Sequence, residues 1–428
     1  MARPQVSKQG ARLEIAQSTM QYMKDGIRHV CENFKKRLPG TQSERDAQAF
    51  FSKELAGYSD NVVMQDFTLH PRAFMGWIPI AMTLTLASVG LFLFNRGNIW
   101  LAALGALLPL MALLMALFEF LFYREFVDFL FPKRVSRNVY ATRRPSGEVK
   151  RRIIFGGHTD AANEWYLSYL GGKTLLAIGI AGGIAAVLVT LVAGIVNFIH
   201  TASADQIASR WEGGWLVWTI LLLVMLLPMG LMFFFVNYRQ VCDGANDNLS
   251  ANYIAMAVIK EMHDSDIRFD HTEVACFLSG SEEAGLRGAR AFAKANMEML
   301  ADPNVETVFI ALDTMREVEE LRVCHFGCTG TVKNDPAAGE LIHQAARACG
   351  IEMPGTELYP GAIDAEAFSR LGLTASGFTG VSHEARRYYH SREDTADNLD
   401  DDCLALSLNI CKEAARMFDE NGLPEVKK

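Results

Sequence analysis

Four uninterrupted apolar runs, 76–94, 99–122, 174–199 and 215–236, constrain this chain more than any other feature of its sequence. At a rise of about 1.5 Å per helical residue, each can cross a hydrocarbon layer of roughly 30 Å, and a water-soluble domain rarely carries four such runs. They come in pairs. The first pair turns within 95–98 and the second through the polar stretch 200–214, so every longer polar segment lies on the same side of a bilayer. Residues 1–75, 124–172 and 238–428 are therefore expected to build one domain, interrupted by hairpins at 76–123 and 173–237. Glu119, the one acid inside a run, is in the last turn of its helix, where a carboxylate can reach the interface. Gly179 and Gly183 have the spacing that lets two helices approach closely.

Composition agrees with two solvents: 50% hydrophobic side chains are too many for an ordinary soluble protein, and 21% charged residues are too many for a membrane bundle alone. A net charge of −8 argues against a nucleic-acid partner, which would need a basic face. Arg72, Arg124, Lys133, Arg134, Arg137, Lys173 and Arg239 flank the runs on the side of the polar domain, against Arg96 and Arg210 opposite. This bias places the polar domain and both termini in the cytoplasm of an integral protein of the inner or plasma membrane, with the lipid bilayer as a partner. Residues 1–17 lack the apolar core of a signal peptide, and the eight cysteines show no disulfide spacing.

Outside the runs, strand and helix patterns alternate. Helical spacing covers 14–36 and then a second helix to about 55; strand patterns follow at 62–69 and 137–142, and a turn at 145–147 suggests a hairpin into the buried strand 153–155. Helix 252–263, strand 273–279, helix 285–299, strand 307–312 and helix 402–418 complete an α/β domain with a largely parallel sheet.

On that scaffold, His158 and Asp160 follow one strand, Glu282 and Glu283 another, and Asp313 a third, so all lie at carboxyl ends of strands, where open α/β sheets bind ligands. Asp247 opens a helix, and His390 precedes the last one. Taken singly, each is an ordinary cap or turn residue. Together, His158, Asp247, Glu282, Glu283, Asp313 and His390 supply five metal ligands and a base, enough for two zinc ions sharing one carboxylate while a coordination position stays open for water. Adjacent Glu282 and Glu283 cannot easily share a role: if one faces metal, the other lies beside the water and can move its proton. Cys324 and Cys328 flank His325 in a strand-like run, which suits alternating sheet faces better than a metal clip.

The strings GGHTD (156–160), DGANDNLSA (243–251), SGSEEAGLRGARAF (279–292), ALDTM (311–315) and YYHSREDTADNLD (388–400) resemble those of the aminopeptidase-type metallopeptidases of family twenty-eight. The resemblance extends over about 13–418, apart from the hairpins. It implies a mixed, largely parallel sheet with helices on both faces, and two Zn2+ per chain. His158 and Asp313 would hold one ion, Glu283 and His390 the other, with Asp247 bridging, Glu282 as general base and Asp160 orienting His158. Related glutaminyl cyclases keep one zinc and lack an equivalent of His158, so the full set favours hydrolysis. Two departures stand out: a membrane hairpin replaces the short loop between the His158 and Asp247 motifs, and another interrupts the chain after strand 62–69.

Short links to the spans suggest that substrates come from or along the membrane. Arg386 and Arg387, ahead of Tyr388, are candidates for gripping a substrate carboxylate and equally for facing lipid headgroups; Glu164 and Glu384 are acids available for a substrate amine, and His383 is an ordinary loop histidine. The leading expectation is a membrane-anchored zinc exopeptidase that hydrolyses N-terminal peptide bonds of hydrophobic or membrane-associated peptides. The alternatives are a zinc amidohydrolase acting on N-acyl amino acids or lipidated peptides, and a catalytically silent membrane scaffold. A homodimer through the spans is compatible with the sequence.

Overall fold

The computed structural model describes residues 6–203, 209–357, 361–382 and 388–426. The chain forms two compact units, one from Met1–Pro71, Pro132–Asn163 and Arg239–Lys428, the other from Arg72–Phe131 and Glu164–Tyr238. Its strands are β1 (Asn61–Leu69), β2 (Arg134–Arg143), β3 (Arg151–His158), β4 (Asn163–Trp165), β5 (Val236–Val241), β6 (Thr272–Ser279), β7 (Glu306–Asp313), β8 (Arg322–Gly327), β9 (Val332–Lys333), β10 (Gly355–Glu357) and β11 (Ala375–Thr379). Its helices are α1 (Gln17–Asn33), α2 (Gln42–Leu55), α3 (Ala73–Phe94), α4 (Ile99–Met115), α5 (Tyr166–Ser203), α6 (Gly213–Phe233), α7 (Ala251–Asp264), α8 (Arg287–Ala295), α9 (Met297–Leu300), α10 (Pro336–Ala348), α11 (Ala365–Ser369) and α12 (Asp401–Asn421).

In the first unit, one mixed sheet runs β1-β2-β6-β3-β7-β11-β8-β10, with β9 on β8. Its centre is parallel, β3 pairing with β6 and β7, and β7 with β11. Strands covered on both faces need near-continuous apolar runs, and β3 has one over 153–155 and β6 over 274–278. Ile153, Phe155, Val274, Cys276 and Leu278 pack into a core with α1, α2, α7, α10 and α12. On the opposite face, Phe277 and Phe309 stack against Phe292 of α8 and Phe368 of α11. Helices thus cover both faces, as expected.

Strands β2 and β3 do not form the hairpin suggested by the turn at 145–147: β6 lies between them. The turn instead donates the Ser146 and Gly147 N–H groups to Phe269 and Asp270 carbonyls, binding it to the loop ahead of β6. At Gly156 a Cβ would stand 1.8 Å from the Phe277 carbonyl oxygen, so only glycine admits this approach of β3 and β6.

The second unit contains four helices long and apolar enough to cross a membrane, of 22, 23, 38 and 21 residues. Small residues let them pack closely: a Cβ on Gly194 of α5 would lie 2.7 Å from the Gly105 carbonyl oxygen of α4, and one on Gly183 2.8 Å from Met232 of α6. Helix α5 is broken at Gly171 and Gly172, and α4 ends in a π-helical turn, Ala116–Leu121. Within that turn Glu119 does not reach outward. It is fully buried, and one carboxylate oxygen accepts the N–H groups of Phe126 and Val127, each at 2.7 Å. The last apolar run is shorter than its hydropathy suggests, since α6 stops at Phe233 and the alternating sequence from Val236 forms β5, paired with β4.

Candidate metal centre

The parallel registers bring the carboxyl ends of β3, β6 and β7 to one edge, with His158 opposite Ser279. His158 and Asp313 are the last residues of β3 and β7, while Glu282 and Glu283 form a short turn just past β6. Asp247 comes from an irregular turn ahead of α7, and His390 from a loop ahead of α12 with a positive φ of 47°.

Six predicted residues meet there. Asp247 lies at the middle, one carboxylate oxygen 3.1 Å from His158 Nε2 and the other 3.2 Å from His390 Nε2. His158 Nε2 is also 3.9 Å from Asp313 and 3.9 Å from Glu282, while His390 Nε2 is 3.3 Å from Glu283. Three groups have ligand atoms within 4.8 Å of one another: His158, Asp247 and Asp313; Asp247, Glu283 and His390; and His158, Glu282 and Glu283. Asp160 stands behind His158, its carboxylate 3.5 Å from Nδ1. Its two oxygens accept the N–H groups of Glu282 and Glu283, each at 3.0 Å, so it aims the glutamate turn as well as the imidazole.

So many buried acids oppose one another's ionisation. Burial, reinforced by neighbouring acids, raises Glu283 to about 7 and Asp313 to about 8, and lifts Glu282 well above the usual carboxylate range. For Asp247, burial is outweighed by the two histidines, which hold it below that range; the same acids outweigh burial to raise His158 and His390. A cation among the carboxylates relieves this crowding, and the nitrogen and oxygen donor set suits zinc.

Other residues fix the cluster, and the sequence reading assigned them no role. One Asp394 oxygen accepts both the backbone N–H and side-chain amide of Asn246, and the other accepts the Asp247 N–H. It lies inside the string that carries His390, the one signal that pointed to it. Buried Arg37 donates to the carbonyls of Thr159 and Asp243, tying the His158 loop to the Asp247 loop. Glu44, buried in α2, accepts the Ser281 hydroxyl next to Glu282. Asp364 accepts the Ser279 hydroxyl at the end of β6, and burial raises it to about 6. Arg37, Glu44 and Asp364 lie far from every motif, and nothing local marks them.

Of the residues considered for substrate, Arg386 and Arg387 lie outside the described residues, as do His383 and Glu384. Tyr388 is buried and its hydroxyl accepts the Ser382 N–H, whereas the neighbouring Tyr389 sets its ring 4.2 Å from that of His390. Glu164 is buried and accepts the Asn237 amide. Cys324 and Cys328 are buried free thiols.

The sequence pattern of Peptidase family M28 matches residues 234–415. No curated protein matches the chain. Among solved structures, the aminopeptidase from Aneurinibacillus sp. strain AM-1 is 13% identical, with 95% of this chain and 94% of that one covered and a TM-score of 0.54. The zinc aminopeptidase BSAP from Bacillus subtilis is 12% identical, with 93% and 94% covered and a TM-score of 0.53. The glutaminyl cyclase from Fimbriiglobus ruber is 13% identical, with 97% and 99% covered and a TM-score of 0.53. At these identities the likeness concerns the fold, which is the mixed, largely parallel sheet expected from the sequence. The matched segment supplies every residue of the cluster except His158 and Asp160, which β3 and the turn after it bring, so over residues 234–415 the chain is similar to the metallopeptidases of Peptidase family M28.

Proposed function

We propose that this chain is a membrane-anchored exopeptidase that hydrolyses N-terminal peptide bonds with two zinc ions. In this reading His158 and Asp313 would hold one ion, Glu283 and His390 would hold the other, and Asp247 would serve both. The observation that carries it is Asp247, whose two oxygens separately face His158 and His390, each with a further acid at hand. When bound, zinc supplies a Lewis acid at the scissile carbonyl and lowers the pKa of water beside it.

The chain's own groups do the rest. Glu282 takes the proton from the attacking water and returns it to the nitrogen of the leaving amine as the C–N bond breaks. Its buried position, which raises its affinity for the proton, suits that relay. Asp160 keeps both the His158 ring and the Glu282 turn aimed while charge shifts.

The four long apolar helices support membrane anchoring, and the distribution of Lys and Arg supports a cytoplasmic catalytic domain. Hydrophobic or membrane-associated peptides are the substrate class we favour, because the segments joining the motifs to the spans are about a dozen residues long and reach only some tens of Å when extended.

The test is mass spectrometry of a mixed peptide pool, including N-acylated members, incubated with zinc-loaded enzyme in lipid nanodiscs, with Glu282→Gln as control. Loss of single N-terminal residues with wild type alone is the expected result. Turnover confined to acylated members would replace this reading with the amidohydrolase, and no turnover by a protein carrying two zinc ions would favour the silent scaffold.

A further inference from the structure

Arg210 lies in the segment between α5 and α6, at the end of the helical unit where α3 and α5 finish and α4 and α6 begin. Its guanidinium is held between two rings, 4.6 Å from the centroid of Phe92 and 4.5 Å from that of Trp215. Nη2 donates to the Asn197 side-chain oxygen, and the Arg210 carbonyl accepts the Thr219 hydroxyl at 2.8 Å. Asn197 is about two turns from the end of α5, and Phe92 and Trp215 are each within a turn of their helix ends, so the charge lies within the last turns of the bundle.

This arginine is only 8% exposed, yet Nε and Nη1 have no hydrogen-bond partner and no carboxylate pairs with it among the described residues. One neutral amide is a poor return for a buried guanidinium with five N–H donors, and the two rings answer its charge without accepting those N–H groups in a hydrogen bond. A buried polar group in this state requires an acceptor. The same end shows which solvent surrounds it: Trp100 is 80% exposed and Trp211 68%, with Phe94 exposed beside the turn. Exposed tryptophans at the end of an apolar bundle mark the level of lipid headgroups. At that level the abundant multi-oxygen anion is the lipid phosphate, for which arginine is the preferred side chain.

We propose that Arg210, with Asn197, Phe92 and Trp215, forms a binding site for the phosphate of a phospholipid in the leaflet reached by the turn between α5 and α6. Arg210 takes the phosphate oxygens on its open N–H groups, the two rings hold the guanidinium from its faces, and Asn197 fixes its position. The site ties one lipid to the ends of α3, α5 and α6. It rests on the membrane reading of the helical unit, and is independent of what the enzyme cleaves.

The experiment is native mass spectrometry of the full-length protein extracted into a maltoside detergent, which has no phosphate. Extraction itself tests the membrane reading, since release of the protein without detergent would defeat that reading separately from the site. Wild type should carry a phospholipid adduct, and Arg210→Gln should lose it. Arg210→Lys, a point charge without the fork, should hold it more weakly. Adding inorganic phosphate to delipidated wild type distinguishes the sources: a lipid site is refilled by phosphatidylglycerol and not by phosphate, whereas refilling by phosphate alone would show a free-anion site instead. If the variants do not fold, arginine labelling by phenylglyoxal on wild type decides, because refilling with phosphatidylglycerol should slow modification of Arg210 and leave exposed Arg96 unaffected. Equal lipid retention in wild type and Arg210→Gln, or a wild type that retains none, overturns the proposal.

Discussion

The two units bury polar side chains by opposite rules. In the helical unit a buried polar group is answered mainly by backbone: Glu119 takes two N–H groups, Thr85 donates to the Ala81 carbonyl, and Ser88 to that of Gly105. Such pairs satisfy hydrogen bonds inside one chain segment or between neighbouring helices, as an apolar solvent demands. In the sheet unit Asp247, Glu282, Glu283, Asp313, His158 and His390 face one another, and their charges do not balance. The three groups just named find their partners within the chain; the cluster in the sheet unit is completed by a cation. Stability resides in the one, and stored electrostatic demand in the other.

The sharpest way to break this contrast is Asp247→Ala, which removes the carboxylate common to both proposed ions. Activity should fall below detection and zinc per chain should drop, as measured by metal analysis of the purified protein; retention of two ions would refute the bridge. Glu282→Gln should keep its zinc and lose about 10²–10⁴-fold in kcat, the usual share of a general base. Loss of zinc alongside activity would make Glu282 a ligand instead.

Next in size is the response to pH. Glu283 and Asp313 have folded-state values of about 7 and about 8, above their ordinary values of 4.5 and 3.8. A raised acid contributes stability that is fully present below its ordinary pKa and is lost as pH rises through the folded value. The raised histidines act in the same direction, so the metal-stripped protein should lose Tm between about pH 4 and pH 8. A fixed zinc concentration of about a thousand times its Kd at neutral pH should restore about 4 kcal/mol there, with a Tm gain that grows as pH rises and proton competition for the ligands falls. A zinc-induced shift independent of pH would show that these acids are not the ligands. Smallest is Gly194→Val, whose added atoms meet Gly105 and Ala106 of α4. Overpacking should cost about 1–3 kcal/mol in unfolding from detergent, with kcat on a soluble peptide unchanged. A kcat that falls with it would erase the distinction between the units.

Much of this was legible from the sequence because the signals are local. Apolar runs announce the four helices, and motifs at strand ends announce His158, Glu282, Glu283 and Asp313. What stayed hidden depends on distant chain. The neighbour of β2 is β6 and not β3, because the turn at 145–147 finds its hydrogen bonds at 269–270. Arg37, Glu44 and Asp364 act on the cluster through partners remote in sequence, which no spacing reveals. Tyr388 and Tyr389 are adjacent and identical in type, and only the positive φ of the following His390 and the packing around it separate the buried ring from the one beside the imidazole.

The grip of Asp394 on Asn246 and Asp247 also has a consequence for biosynthesis. The loop that carries His390 is the loop that braces Asp247, so both are in place only when that late stretch has been made. By then all four apolar helices have long been synthesised: about 150 residues separate the end of α6 from His390, roughly 10–30 s of translation at 5–20 residues per second. Nascent chains arrested before residue 388 should therefore insert into membranes yet fail to load both ions, which metal analysis of arrested complexes would read. On the membrane reading proposed above, a peptidase made in this order would enter its membrane before it acquires the means to cut.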